Sequence, residues 1–171
     1  MANTFQAIQT VTVTGSAGDI QFTNIPQTFT DLYVAGSVAG RLTSGTTGAL
    51  VTYTANGQSS SLANWRNLRG AGSTVTSSAS AYPIVGELEY LSGNIFGSFC
   101  MYILGYRTNS QKQVFVADSV TGINSGAAYS SFNSLIIDAT DPISFLGFGD
   151  GSAGGGIKVG SKITLYGIKN T

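Results

Sequence analysis

The chain has 171 residues, with eight basic and eight acidic side chains, no histidine and one cysteine. Histidine is the usual general acid or base near neutral pH and the usual activator of serine or cysteine nucleophiles, so this composition excludes the commonest catalytic arrangements. A net charge of zero gives no attraction for nucleic acid or for an anionic membrane surface. We therefore expect a protein that is not an enzyme and has no cofactor.

The bulk composition indicates a folded chain. Hydrophobic residues make up 42% of it and aromatic residues 11%, too much for a disordered segment. The length favours one domain over residues 1–171. No run approaches the roughly 18 to 20 apolar residues that span a bilayer, and residues 1–6 lack the features of a signal peptide. We expect synthesis and retention in a cytoplasm.

Short runs with period-two alternation recur along the chain, and no run has helical periodicity. The predicted strands are Phe5–Thr14, Ile20–Thr23, Leu32–Val38, Ala49–Thr54, Ile84–Leu91, Ile95–Tyr106, Gln113–Val120, Ser134–Asp138, Ile143–Phe148 and Ile163–Ile168. About nine or ten strands in a chain of this length favour an all-β fold of two packed antiparallel sheets, a β-sandwich of jelly-roll type.

Three strands carry more specific expectations. Alternation in the first strand places four apolar side chains on one face: Phe5, Ala7, Val11 and Val13. Asn56-Gly57 after the fourth strand is the dipeptide most typical of a two-residue type I′ hairpin turn. Ile163–Ile168 is regular enough to predict a central or closing strand.

Cys100 lies in an apolar run and is expected to be a packed, unreactive thiol.

Two irregular segments interrupt the strands. Residues Ser59–Tyr82 read as a long loop with at most one short strand, and Gly149–Gly156 read as a glycine-rich connector. Together with Met1–Phe5, these segments are the expected contact elements, because termini and long loops reach outward from a sandwich. The candidate interface residues are Thr4, Phe5, Trp65, Arg66, Arg69, Tyr82 and Asp150.

Trp65 has two interpretations that the sequence leaves open. It could fill the core beneath the long loop, or it could form an aromatic and cationic platform with Tyr53, Tyr82 and Arg66 or Arg69. Tryptophan and arginine are frequent anchors of protein interfaces.

The other motifs give little support for a catalytic or ligand-binding site. The glycines of residues 149–154 match a dinucleotide fingerprint in spacing alone, because no helix is predicted after them. Glu87 and Glu89 lie on one face of a predicted strand, roughly 7 Å apart, which leaves a glycosidase as a remote alternative. Asp138, Asp141 and Asp150 match no known calcium loop, and turn chemistry explains them better.

Three segments resemble a group of small β-rich virion proteins of tailed bacteriophages, especially those of marine and cyanobacterial hosts. Thr10–Val13 followed by residues 20–32 is similar to the group's opening strand and its "FTxIPxTYTDL" turn. Asn56-Gly57 with residues 65–70 is similar to its "NG…YxxRxLxG" segment. Residues 163–169 resemble its terminal "LYGIK" strand. Trp65 stands where the group usually has tyrosine.

The resemblance implies a structural role in the virion, with synthesis in the host cytoplasm. The leading expectation is a homotrimeric capsid decoration, or cement, protein that contacts copies of itself and other virion proteins such as the major capsid protein. The alternative is a tail fibre or spike component that binds a glycan or receptor on the host surface.

Overall fold

The computed structural model describes residues 4–40, 49–57, 65–80, 84–88, 95–122, 128–137, 140–151 and 156–169. This part of the chain contains strands and no helix. The strands are β1 (Phe5–Thr12), β2 (Ile20–Phe22), β3 (Asp31–Val38), β4 (Ala49–Ala55), β5 (Trp65–Ala71), β6 (Thr74–Ser80), β7 (Ile84–Leu88), β8 (Gly97–Ile103), β9 (Val114–Gly122), β10 (Ala128–Ile136), β11 (Leu146–Asp150) and β12 (Lys162–Ile168).

These strands form two sheets. The large sheet has eight strands in the order β1-β12-β3-β8-β9-β10-β5-β6, and the small sheet has four in the order β2-β11-β4-β7. Every neighbouring pair of strands is antiparallel. The predicted all-β antiparallel sandwich is confirmed.

The strand order is that of a jelly roll with two inserted hairpins. Without β5, β6, β9 and β10, the remaining strands form two four-stranded sheets, β1-β12-β3-β8 and β2-β11-β4-β7, as in a jelly roll. The inserted strands extend the large sheet beyond β8. The small sheet remains at four strands, so only part of the large sheet's inner face can lie beneath it.

The apolar core lies between the two sheets. In β9 burial alternates residue by residue, with Phe115 and Ala117 facing inward and Val114 and Val116 facing out. The rings of Phe22 and Phe99 both pack against Phe148, with centroid distances of 6.2 Å and 5.7 Å. The contact of Phe99 in β8 with Phe148 in β11 joins the large sheet to the small sheet. Burial of such side chains is the main favourable contribution to folding.

A β-hairpin occupies most of the segment predicted to be a long loop. β5 and β6 pair antiparallel from Trp65↔Ser80 to Ala71↔Thr74, so the loop prediction for residues 59–82 is wrong over these strands. The two-residue turn has Gly72 at a φ of 57°, which matches a type II′ turn. The sequence analysis did not predict these strands, because both are rich in Ser, Thr, Asn and Arg and therefore show no alternation of apolar and polar residues.

The single apolar face predicted for the first strand is also wrong. A bulge in β1 shifts the register between Ala7 and Gln9. Because the side-chain period of a strand is two, one extra residue moves everything beyond it to the opposite face. Phe5 and Ala7 are therefore exposed, whereas Val11 and Val13 pack at the core.

The Asn56-Gly57 turn is confirmed, but its hairpin is not. Asn56 and Gly57 have positive φ values of 48° and 76°. However, β4 pairs with β7 and β11, and the next strand along the chain belongs to the other sheet. The turn therefore connects the two sheets.

Several strand boundaries differ from the predictions. β10 starts at Ala128, because the polar residues Ser131 and Asn133 face inward and hide the alternation. β11 extends through Asp150 and so includes the first two residues of the predicted connector Gly149–Gly156. Residues 152–155 of that connector lie outside the described part of the chain. β12 lies between β1 and β3, as a central strand should.

Candidate functional site

Exposed apolar side chains gather on the outer face of the large sheet. Leu68, Val75, Val120 and Phe132 have exposed fractions of 52%, 69%, 56% and 51%. Leu68 lies directly opposite Phe132, across the pairing of β5 with β10. We call these four residues the outer patch. Single exposed apolar residues are ordinary, but a contiguous group of them marks an interaction surface.

The outer patch borders a groove of about 850 Å³. Two neighbouring rows of side chains run through the groove, each crossing the same six strands. One row is Leu68, Phe132, Asp118, Cys100, Ala35 and Thr164. The other is Gly70, Ser130, Val120, Ser98, Ser37 and Lys162. Small residues in the second row create depth, because they place little volume above the sheet.

The middle of the groove holds a hydrogen-bonded thiol. Cys100 Sγ donates to Asp118 Oδ1 at 2.6 Å. Burial raises the pKa of the Cys100 thiol, and the hydrogen bond to Asp118 raises it further. A hydrogen bond to Cys100, with burial as the second cause, raises the pKa of Tyr33 to about 12. The protonated thiol is a poor nucleophile.

The position of Cys100 corrects a prediction. Its apolar neighbours in sequence suggested a thiol packed in the core, but Cys100 is half-buried on the outer face, while Phe99 and Met101 face inward. The alternation of β8 decides this, because adjacent residues of a strand point to opposite faces.

An aromatic strip lies beside the groove at the β1 edge of the same sheet. The Phe5 ring meets the Tyr33 ring edge-on at 5.8 Å, and the Tyr33 and Tyr166 rings lie 6.2 Å apart. Phe5 is 54% exposed. Rings on an open surface offer apolar faces that a sugar or another protein can cover.

A polar network lies on the inner face of the extended part of the large sheet. The Asn133 amide oxygen accepts hydrogen bonds from Asn67 Nδ2 at 2.9 Å and Trp65 Nε1 at 3.2 Å. Asn133 Nδ2 donates to Ser131 Oγ at 3.1 Å, which lies 2.8 Å from Ser119 Oγ. All five residues are buried. The network satisfies polar groups that would otherwise be costly to bury.

The structure resolves the two interpretations of Trp65 in favour of the core. The side chain is 5% exposed, and Nε1 also donates to the Ile84 carbonyl at 2.8 Å. Arg66 points to the outer face, whereas Arg69 stacks on the Tyr129 ring at 4.1 Å. Alternation along β5 separates the two arginines, so the predicted platform of Trp65 with an arginine is not formed. The Tyr53 side chain and Tyr82 lie outside the described structure.

The other predicted interface residues do not form one surface. Thr4 and Phe5 are exposed beside β12 in the large sheet, and the Thr4 carbonyl accepts from the Lys169 amide at 3.1 Å. Asp150 is half-buried at the end of β11, in the small sheet. Of the candidates, Phe5 lies on the outer face of the large sheet together with Arg66.

Sequence reasoning missed the outer patch. Within the predicted strand Gln113–Val120, the alternate residues Val116, Asp118 and Val120 all lie on the exposed face, and the sequence analysis assigned no face to them. Leu68 and Val75 lay in the segment taken as a loop. Only the pairing of β5 with β10 brings Leu68 next to Phe132.

The predicted carboxylate sites gain no support. The Glu87 side chain, Glu89 and Asp138 lie outside the described structure. Among the described residues, no three acidic, cysteine or histidine side chains gather closely enough to hold a metal ion. Within the same ranges, no helix is long and apolar enough to cross a membrane.

Comparison of the chain with protein-family models, curated proteins and solved structures finds no match.

Proposed function

We propose that this chain is a bacteriophage virion structural protein, a homotrimeric capsid decoration protein that stabilises contacts between capsid subunits. The outer patch is the observation that carries the proposal. Four large apolar side chains on neighbouring strands are about half exposed or more. Covering them with another subunit removes apolar surface from water, which stabilises the assembly.

The low charge of the chain supports the same role. Charged residues make up 9% of the sequence, with no net charge, so little repulsion keeps free copies apart. In a shell, many copies meet in fixed orientations, and modest contacts of about 800 Å² per partner reinforce one another. The jelly roll suits this role by analogy, since viral capsid proteins often use it, although a fold alone does not establish a function.

The experiment is a measurement of copy number. Quantitative mass spectrometry of purified particles of the phage that encodes this chain would compare it with the major capsid protein. Hundreds of copies per particle are expected for a decoration protein. A few tens of copies or fewer would contradict decoration and favour a place in the tail.

A second candidate function, a tail fibre or spike component that binds a host glycan, is favoured by the groove. Aromatic rings, hydroxyl groups and the Asp118 carboxylate surround it, and such mixtures suit the apolar faces and hydroxyl groups of sugars. A glycan array probed with the purified chain tests this candidate. Tyr33→Ala should abolish a genuine signal there, and retention of the signal would contradict binding in the groove.

A further inference from the structure

The four edges of the two sheets differ in how they are protected against pairing with another strand. β1 carries a bulge, β2 has only three residues, and β7 has a bulge in its pairing with β4. Natural proteins use such devices to prevent edge strands from associating. β6 pairs with β5 over seven residues without any shift, and it contains no charged residue, proline or glycine.

β6 is also exposed on both faces. Every side chain from Thr74 to Ala79 is exposed, and Val75 reaches 69%. The strand is therefore held by its backbone pairing with β5 and by little packing. An uncharged strand in this state is a template for another strand.

The register fixes which backbone groups are free at this edge. The pair Ala71↔Thr74 closes a two-residue turn and is therefore hydrogen-bonded. Hydrogen-bonded and non-bonded pairs alternate along an antiparallel ladder, so Thr76 and Ser78 also direct their backbone groups toward β5. Val75, Ser77 and Ala79 direct their N–H and C=O groups to the open side.

We propose that this edge is an interface between two copies of the chain, in which β6 pairs antiparallel with β6 of the second copy about a two-fold axis at Ser77. In this register Val75 lies opposite the other copy's Ala79, and the two Ser77 residues face each other. All of these positions direct their backbone groups away from β5, and no described strand pairs with that side of β6, so each pair can exchange two hydrogen bonds.

The sequence of β6 favours a second copy as the occupant. Its polarity pattern reads almost the same in both directions, with Thr76 opposite Ser78 and Thr74 opposite Ser80. Such a pairing juxtaposes no like charges and places Val75 against a small apolar side chain. Leu68 of the outer patch lies opposite Ser77, on the outer face of the sheet. Pairing at Ser77 therefore brings the outer patches of the two copies next to each other.

This inference goes beyond the proposed function, since it concerns a two-fold contact of the purified chain. A two-fold contact is compatible with a trimer, because closed shells combine both symmetries and two-fold axes can relate neighbouring trimers. Its failure would leave the copy-number test unaffected.

The test is sedimentation velocity with a charge swap at the proposed axis. Ser77→Asp and Ser77→Lys each place like charges opposite each other, so each variant should self-associate at least about tenfold more weakly than wild type. An equimolar mixture of the two variants should regain the wild-type assembly, because opposite charges then meet. Ser110→Asp and Ser110→Lys alter an exposed turn and should behave as wild type.

Ser77→Pro provides a second variant that spares the fold. It removes an N–H that faces the open edge, where proline is tolerated, and leaves the hydrogen bonds to β5 in place. It should also reduce association. Equal sedimentation of wild type and the Ser77 variants, or no recovery in the mixture, would overturn the proposal.

Discussion

At the scale of residues, buried polar side chains join the strands that extend the large sheet beyond β8. Asn133 is fully buried, and its amide links Trp65, Asn67 and Ser131. A buried polar group with partners costs little, but the same group without them costs its full desolvation penalty. The network therefore requires all of its members at once, which fixes the register of β10 against β5.

Asn133→Ala should lower the free energy of unfolding by about 3 kcal/mol, because it leaves the Asn67 amide and the Ser131 hydroxyl without this partner. Urea denaturation measures the loss. Ser130→Ala, in the same strand but on its exposed face, is the matched control and should change stability by less than about 0.5 kcal/mol. Equal losses in the two variants would contradict a stabilising network.

The Cys100 thiol gives a second prediction at the residue scale. Its raised pKa means that little thiolate forms at pH 8, and its reaction with iodoacetamide should keep accelerating as the pH rises above 9. Asp118→Asn removes a carboxylate that disfavours the thiolate, so the pKa should fall toward its ordinary value.

The rate for Asp118→Asn at pH 8 should therefore rise, because a larger fraction of the thiol is ionised at that pH. Asp141→Asn removes an exposed carboxylate in a different segment and should leave the rate unchanged. A slower reaction in Asp118→Asn than in wild type would show that the carboxylate promotes ionisation instead.

Among the elements, the turn after β4 has the backbone conformation that Asn56-Gly57 predicts, but it does not form the hairpin that the same dipeptide predicts. Asn56 adopts the left-handed conformation that its sequence favours. Its side chain then reaches the segment before β11, where Oδ1 accepts from the amides of Ser144 at 2.9 Å and Phe145 at 3.1 Å, while Nδ2 donates to the Pro142 carbonyl at 2.9 Å. The turn thus anchors a second chain segment.

Asn56→Ala should destabilise the fold by about 3 kcal/mol, since it loses these hydrogen bonds and strains a positive φ. Asn56→Gly loses the same hydrogen bonds without the strain, so its loss should be about 1 kcal/mol smaller. Thermal and urea unfolding of both variants measure the difference. Equal stability of the alanine and glycine variants would contradict a role for the backbone conformation.

At the scale of the whole molecule, the inserted hairpins turn one sheet of a jelly roll into a broad outer surface. β9 and β10 continue the large sheet, and β5 and β6 complete it. The outer patch consists entirely of residues from these four strands. The insertions therefore create the surface on which the proposed function depends.

Leu68→Ser should weaken binding of the chain to capsids that lack it by at least about tenfold, with little loss of stability, because the side chain is already 52% exposed. Leu104→Ser is a close control, since Leu104 is 49% exposed and does not line the groove. Co-sedimentation with particles measures binding. Similar binding by both variants would contradict a role for the outer patch.

The sequence by itself determined the all-β class and most strands. Alternation is a local property, and wherever one face of a strand is apolar, as in Leu32–Val38 and Ile163–Ile168, the pattern is visible in the residues themselves. The same reasoning failed for β5, β6 and the first half of β10, because polar side chains such as Asn67 and Asn133 occupy their inner face.

Only the tertiary structure decided which residues share a surface. The bulge in β1 exposes Phe5, and the pairing of β5 with β10 joins Leu68 to Phe132. Both depend on hydrogen bonds between residues far apart in the chain. Strand order and register are set by such long-range pairing and by burial against the opposite sheet, which local periodicity does not encode.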